Sequence, residues 1–238
     1  MTHIGGTPQA APRSIYDEGC IAAHALDLLG DRWALLVTRE LMLGPKRFAL
    51  IRSGLPGISA SVLTRRLEGL EAAGLVHRLT LPDPAGVQVY GLTALGGGVR
   101  PVLDALCRFG AVAPGHDPEK FISPTALMLS MAAMIDRRAA KAVAGSAGFD
   151  LGRESFRGRI ERGRWEVERG AAEGEIVFAG SANALAPVVY GARPLAHWLG
   201  AGTIGFRGDP ATGQRFLDLF RLGARAPRPR GRAWSRGG

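Results

Sequence analysis

Cysteine is almost missing from this chain of 238 residues. Cys20 and Cys107 are the whole complement, so no disulfide framework holds the fold together. Long apolar runs are missing too: no stretch nears the roughly 18–20 uninterrupted apolar residues that a bilayer crossing needs. The opening segment, Met1 to Ser14, lacks the charged start and apolar run of a secretion signal. A cytoplasmic protein with no membrane partner is expected. Histidine is sparse and scattered (His3, His24, His77, His116, His197), with no pair at metal-ligand spacing to a cysteine. No serine sits in a nucleophile elbow, and Gly96-Gly97-Gly98 lacks the spacing of a dinucleotide loop, reading instead as a flexible joint. We therefore expect no enzyme, no metal and no cofactor.

What is present suffices for one or two cores, since 46% of the residues are hydrophobic and 21% charged. The net charge is +9, but its distribution matters more than its size. Five of those charges, Arg225, Arg228, Arg230, Arg232 and Arg236, fall in a C-terminal stretch without an acid, interrupted by Pro227, Pro229, Gly231 and Gly237. Such a tail cannot pack a core. It either adds non-specific phosphate affinity or is a solvated end.

Periodicity organises the first half. Ile21, Ala25, Leu28 and Leu29 share one helical face, closed by Gly30. Asp31 offers an N-cap for a second helix striped by Trp33, Leu36, Val37, Glu40 and Leu41, which Gly44-Pro45 breaks. A short third helix from about Arg47 buries Phe48 and Ile51. Ser59 caps a fourth, with Leu63, Leu67 and Leu70 at helical spacing and Gly74 at its end. Two β-prone segments, 75–81 and 87–92, flank a Pro-Asp-Pro-Ala-Gly turn, and a fifth helix carries Val99, Val102, Leu103 and Leu106. Three helices followed by a helix-led hairpin is the order of a winged helix-turn-helix. Its last bundle helix can enter the major groove, which is wide enough to admit it.

Several motifs stand in register along this stretch: Cys20-Ile21-Ala22, Leu28-Leu29-Gly30-Asp31-Arg32-Trp33, Arg39-Glu40-Leu41 and Gly44-Pro45-Lys46-Arg47-Phe48. They continue through Leu55-Pro56-Gly57-Ile58-Ser59, Leu63-Thr64-Arg65-Arg66-Leu67, Leu70-Glu71-Ala72-Ala73-Gly74-Leu75-Val76 and Tyr90-Gly91-Leu92-Thr93. Together they closely resemble the HxlR-type family of winged-helix transcription regulators over about residues 18–110. The resemblance implies a regulator of double-stranded DNA that forms a homodimer through its first and fifth helices. It also implies a redox candidate in Cys20, since some members sense oxidants or electrophiles through a thiol near that helix.

The helical wheel selects the candidate DNA contacts. With Leu63, Leu67 and Leu70 facing the core, Ser61 and Arg65 point almost directly away, flanked by Val62 and Thr64. Arg65 is the base-reading candidate, because its planar fork can bond guanine O6 and N7 together. Ser59, Ser61 and Thr64 can bond a base edge or a phosphate. Arg66 lies nearer the core, where a phosphate contact or an internal ion pair suits it better. Lys46 and Arg47 open the third helix and read as phosphate contacts. Arg78 at the hairpin base is a weaker backbone contact. The wing segment 81–88 holds no basic residue and one acid, so its composition leaves insertion into a minor groove open.

Beyond a linker at 113–122, Leu127, Met128, Met131, Met134 and Ile135 stripe a helix. Alternating strands follow at Phe156/Gly158/Ile160, Trp165/Val167 and Ile176/Phe178, suggesting an antiparallel meander with one covered face. Helices at 183–190 and 194–199, a strand with Ile204 and Phe206, and a helix with Phe216, Leu219 and Phe220 complete it. The segments 158–167 and 175–180, with Leu195-Ala196 and Gly205-Phe206-Arg207-Gly208-Asp209, resemble a sterol-carrier-protein-type domain over about 120–223. That resemblance implies a hydrophobic small molecule or lipid as ligand. Candidate lining residues are Met128, Met131, Trp165, Phe178, Leu185, Trp198, Phe206 and Phe220.

The expected architecture is α+β: a flexible arm (1–17), a winged helix-turn-helix domain (18–112), the linker, a sterol-carrier-like domain (123–223) and a basic disordered tail (224–238). The function it points to is transcription regulation, as a repressor, with operator affinity set by an apolar effector in the second domain. Two other readings stand beside it: a lipid carrier with a helical dimerisation domain, and a thiol-based redox sensor through Cys20.

Overall fold

The computed structural model describes residues 16–81, 86–220 and 222. The expected arm up to residue 15, the wing turn at 82–85 and the basic tail lie outside the described residues.

The first half is helical with one hairpin: α1 (Ile21–Leu29), α2 (Ala34–Leu41), α3 (Phe48–Ser53), α4 (Ala60–Ala72), β1 (Val76–Leu81), β2 (Val87–Leu92), the short α5 (Ala94–Gly97) and α6 (Arg100–Val112). β1 and β2 pair antiparallel, Val76 opposite Leu92 and Leu81 opposite Val87. A core forms around Val37, Leu41, Ile51, Leu63, Leu67, Leu70, Tyr90 and Leu103. Two local expectations change. Asp31 is not an N-cap, because α2 begins at Ala34 with Trp33 before it; Asp31 instead turns its carboxylate to Arg66. Gly96 is no flexible joint. It is buried in α5, where a Cβ would run into the Leu75 carbonyl oxygen, so glycine is needed for close approach.

The second half has its own core. α7 (Pro124–Met134) leads through a 3-10 turn (Ala139–Ala142) into β3 (Gly145–Asp150), β4 (Ser155–Glu161), β5 (Arg164–Arg169) and β6 (Ile176–Ala179), then α8 (Ala182–Tyr190), α9 (Leu195–Gly200), β7 (Gly205–Arg207) and α10 (Pro210–Leu217). The sheet order is β5-β4-β3-β6-β7. It is not a pure meander: β3 pairs parallel with β6, Ala147 beside Ile176 and Phe149 beside Phe178. β3, with the sequence Gly-Ser-Ala-Gly-Phe-Asp, is the central strand that the periodicity missed. Helices cover one face, and the other presents Arg157, Arg159, Glu166 and Glu168 in cross-strand ion pairs.

α7 joins the halves. It packs against α2 and α6 of the first and against β5 and α8 of the second. Thr125, Leu127, Met128, Leu129, Met131 and Ala133 are all buried, so this helix is covered on more than the single stripe expected.

Candidate nucleic-acid interface

α4 is fixed at its start and along one face. The Ser59 hydroxyl accepts the Val62 N–H at 3.3 Å, an N-cap that satisfies one free amide of the first turn. Leu63, Leu67 and Leu70 are at most 1% exposed. That anchoring fixes the rotation of the helix, and Ser61, Thr64, Arg65 and Glu68 stand exposed on the opposite face, with Val62 half-buried at its edge. Ser61 Oγ lies 3.1 Å from Ser59 Oγ. Arg65 therefore shares the exposed face of an anchored helix with Ser61 and Thr64, a set of groups suited to an edge of a base and its neighbouring phosphate.

The remaining cations divide. Arg47 is exposed in extended backbone just before α3. Arg66 is half-buried and makes an ion pair with Asp31 across to the turn before α2, the internal partner that its place near the core allowed. Arg78 bonds Glu71 at 3.1 Å and lies over the Tyr90 ring, 5.6 Å from its centre, so it braces β1 against α4 and the wing.

Lys46 corrects the sequence reading. Expected at a phosphate, it is 1% exposed and its side chain is enclosed by the protein. Its backbone exchanges both hydrogen bonds with Tyr90, at 2.9 Å each, so the segment is extended there. Successive side chains of an extended segment point to opposite sides, which turns Lys46 inward and Arg47 outward. Lys46 Nζ donates to Glu40 Oε2 (2.8 Å), Thr125 Oγ1 (2.9 Å) and Glu154 Oε1 (2.9 Å). Sequence reasoning missed this cluster, although one signal was visible: Glu40 stands on the apolar stripe of α2, and a carboxylate on a buried stripe needs a cation.

Cys20 is exposed at the start of α1, and Cys107 is half-buried on α6. Burial pushes the Cys107 thiol above its ordinary range, and the Asp104 carboxylate adds to the rise, which leaves that sulfur the less reactive form.

In the second half, Met128, Met131, Trp165, Phe178, Leu185 and Phe220 are buried in one core, with Trp198 and Phe206 partly buried against it. Trp165 meets Phe149, Phe216 and Phe220 edge-on at centroid distances of 5.9, 5.2 and 6.2 Å. These rings pack on one another. A groove of about 620 Å³ on the open face of the sheet is lined instead by Ser146, Arg157, Arg159, Glu166, Glu168 and Glu173, none of them an expected lining residue.

Among the described residues, no helix is long and apolar enough to cross a membrane.

A capped, leucine-anchored helix with a free polar face, preceded by a short helix and followed by a hairpin, defines a winged helix-turn-helix. The HxlR-like helix-turn-helix family profile matches residues 28–116. An uncharacterised HTH-type transcriptional regulator of Synechocystis is 39% identical over 92 residues, which are 39% of this chain and 68% of that protein. The HTH-type transcriptional regulator YodB of Bacillus subtilis is 39% identical over 82 residues, 34% of this chain and 73% of YodB. The solved structure of reduced YodB aligns at 37% identity over 37% of this chain and 88% of that one, with a TM-score of 0.35. The chain belongs to the HxlR-like helix-turn-helix family of transcriptional regulators.

Proposed function

We propose that this protein is a homodimeric repressor that reads a roughly palindromic operator through α4, with affinity set by a hydrophobic effector in a sterol-carrier-like second domain. The observation that carries the reading is the outward face of α4: Ser61, Thr64 and Arg65 exposed while Leu63, Leu67 and Leu70 are buried beneath them. Arg65 reads a guanine edge, Ser61 and Thr64 bond a base edge or phosphate, and Ser59 and Arg47 approach the backbone. Val62 gives apolar contact at the helix edge. Arg66 and Arg78 act through their ion pairs, by holding α4 and the wing in place.

Dimerisation is favoured by apolar side chains that α1 and α6 leave in solvent, above all Ile21, Leu26, Leu106 and Phe109. The two separate cores support domains at 18–112 and 123–223 joined by the 113–122 linker. Two indole N–H groups, of Trp165 and Trp198, are buried with no acceptor among the described residues, which suits an effector that brings an oxygen into an otherwise apolar interior. An effector regulates only if it binds the DNA-competent and incompetent states unequally.

Fluorescence anisotropy on the upstream region of the protein's own gene, against random duplex of equal length, tests the DNA reading. A salt-dependent complex that prefers the upstream region supports it; equal binding to both, or none, overturns it. Native mass spectrometry of the purified protein reports the dimer and any co-purified apolar molecule together. A monomer with no adduct removes the dimer and effector parts.

A further inference from the structure

We propose that the second half positions the DNA-reading helices through the buried charge cluster at Lys46, and that Glu154, Thr125 and Arg169 are positioning residues for operator recognition. This rests on α4 being the DNA-reading helix.

The cluster draws its members from both halves. Lys46 offers three N–H donors, and all three are used: one goes to Glu40 of its own half, and two go to Thr125 and Glu154 of the other. Glu40 Oε1 accepts from Arg39 Nη2 at 2.8 Å and from the Ser123 hydroxyl at 2.6 Å. Glu154 Oε2 accepts from Arg169 Nη2 at 2.6 Å, and Arg169 Nη1 reaches back to the Pro45 carbonyl at 2.8 Å. The Lys46, Glu40 and Glu154 side chains are at most 3% exposed, whereas Arg39 and Arg169 close the rim.

Its position gives the cluster a task. Lys46 immediately precedes the Arg47 cap of α3 and is hydrogen-bonded through its backbone to β2 of the wing. At the far end of α3, Arg39 Nη2 donates to the Gly54 carbonyl at 3.3 Å. The Glu40 carboxylate there occupies the space that a Gly54 side chain would fill, 2.6 Å from an ideal Cβ. One ionic knot thus ties both ends of the first helix of the helix-turn-helix, and the wing, to α7 and the β3–β4 turn. Buried ions are costly unless their donors and acceptors are met in one geometry; apart from Arg169 Nε at the rim, which has no partner among the described residues, those of the knot are met, so it favours a single arrangement of the parts it joins. The 92 matched residues make up 68% of the Synechocystis regulator, which leaves no room there for a second half of this size. The second half of this chain therefore lies outside what it shares with that regulator, and it meets the DNA-reading unit at the joint before α3.

The test uses the full chain in four forms: wild type, Glu154→Gln, Lys46→Met and the double variant. Amide hydrogen exchange of the free protein is followed by mass spectrometry. In parallel, binding is measured to a duplex recovered by the wild type from a random-sequence library, and to random duplex. Glu154→Gln is expected to speed exchange across residues 47–58 at least tenfold while the sheet core of the second half stays protected. It is expected to weaken the selected duplex 5- to 20-fold and random duplex less than twofold. In the Lys46→Met background the same change should add little. Thr125→Val, which removes one acceptor and no charge, should repeat the pattern at smaller size if Glu154→Gln does not fold. Unchanged exchange and affinity, or equal losses on both duplexes, overturn the proposal, as do fully additive effects of the two substitutions. If the wild type recovers no duplex, the DNA reading has failed; the exchange data still decide whether the second half holds α3.

Discussion

Two cationic regions of the first half lie about one helix apart and meet opposite surroundings. Behind α3, Lys46 is enclosed by Glu40, Glu154 and Thr125 and is invisible to solvent. On the outer face of α4, Arg65 is exposed, as are Ser61 and Thr64. Both are long cationic side chains, and the sequence offers both as DNA contacts. What separates them is backbone direction. Lys46 sits in an extended segment paired to Tyr90, and every side chain there alternates; Arg65 sits on a helix whose leucines fix the outward face. A buried cation belongs to the architecture and an exposed one to recognition, so substitutions at the two should fail in different ways.

The largest effect should come from the buried side. Lys46→Ala leaves Glu40 and Glu154 close together with their central cation gone. Truncating one partner of a buried pair typically costs about 3–5 kcal/mol, because the remaining charge is stranded. Urea unfolding should show this loss. A loss under about 1 kcal/mol, the range of exposed pairs, would mean that the cluster is open to water and the contrast with Arg65 is false.

Packing in the second half should be the next most sensitive. Gly158 faces the core of the sheet, and a Cβ there would press on the edge of the Trp165 ring and lie 2.7 Å from the Glu166 carbonyl oxygen. Gly158→Ala should cost about 1–3 kcal/mol, as overpacking does, and shift the tryptophan emission. If stability and emission both hold, the aromatic packing around Trp165 is looser than described, which would favour room for an apolar guest.

Arg65→Ala should spare the fold, changing stability by less than about 0.5 kcal/mol as exposed substitutions do. Its cost should appear in DNA binding instead, at about 1–3 kcal/mol, with relaxed base preference at one position of the operator. Equal weakening on operator and random duplex would reduce Arg65 to a phosphate contact.

The parts of the molecule that were legible in sequence are those where one signal dominates. Ser59 followed by Leu63, Leu67 and Leu70 specifies a capped helix and its rotation together, and both are found. The hairpin and the order of helices in the first half follow from turn residues and periodicity in the same way. β3 was hidden because Gly-Ser-Ala-Gly has little strand preference. Its residues are small for a tertiary reason: a side chain at Gly148 would strike the backbone of Ala172, 2.5 Å from an ideal Cβ. The charge cluster was hidden because its partners are 79 and 108 residues apart along the chain. No local pattern links Lys46 to Glu154. Glu40 alone hinted at it, and the hint named the need for a cation without naming which one.

The smallest effect sharpens the comparison most. Arg66 and Asp31 form an ion pair like that of Lys46 and Glu40 in chemistry, but Asp31 is 49% exposed and Arg66 22%. Water screens the attraction, and two long-range partners lose side-chain freedom to hold it, so such pairs are typically worth about 0.2–1 kcal/mol. Arg66→Ala should therefore lower stability by no more than that, and the difference from wild type should shrink further in 1 M salt, where the screening length falls to about 3 Å. The Lys46→Ala loss should barely respond to the same salt, because ions cannot enter its surroundings. If both losses respond equally, burial is not what distinguishes the two regions, and the positioning role assigned to the cluster around Lys46 loses its physical basis.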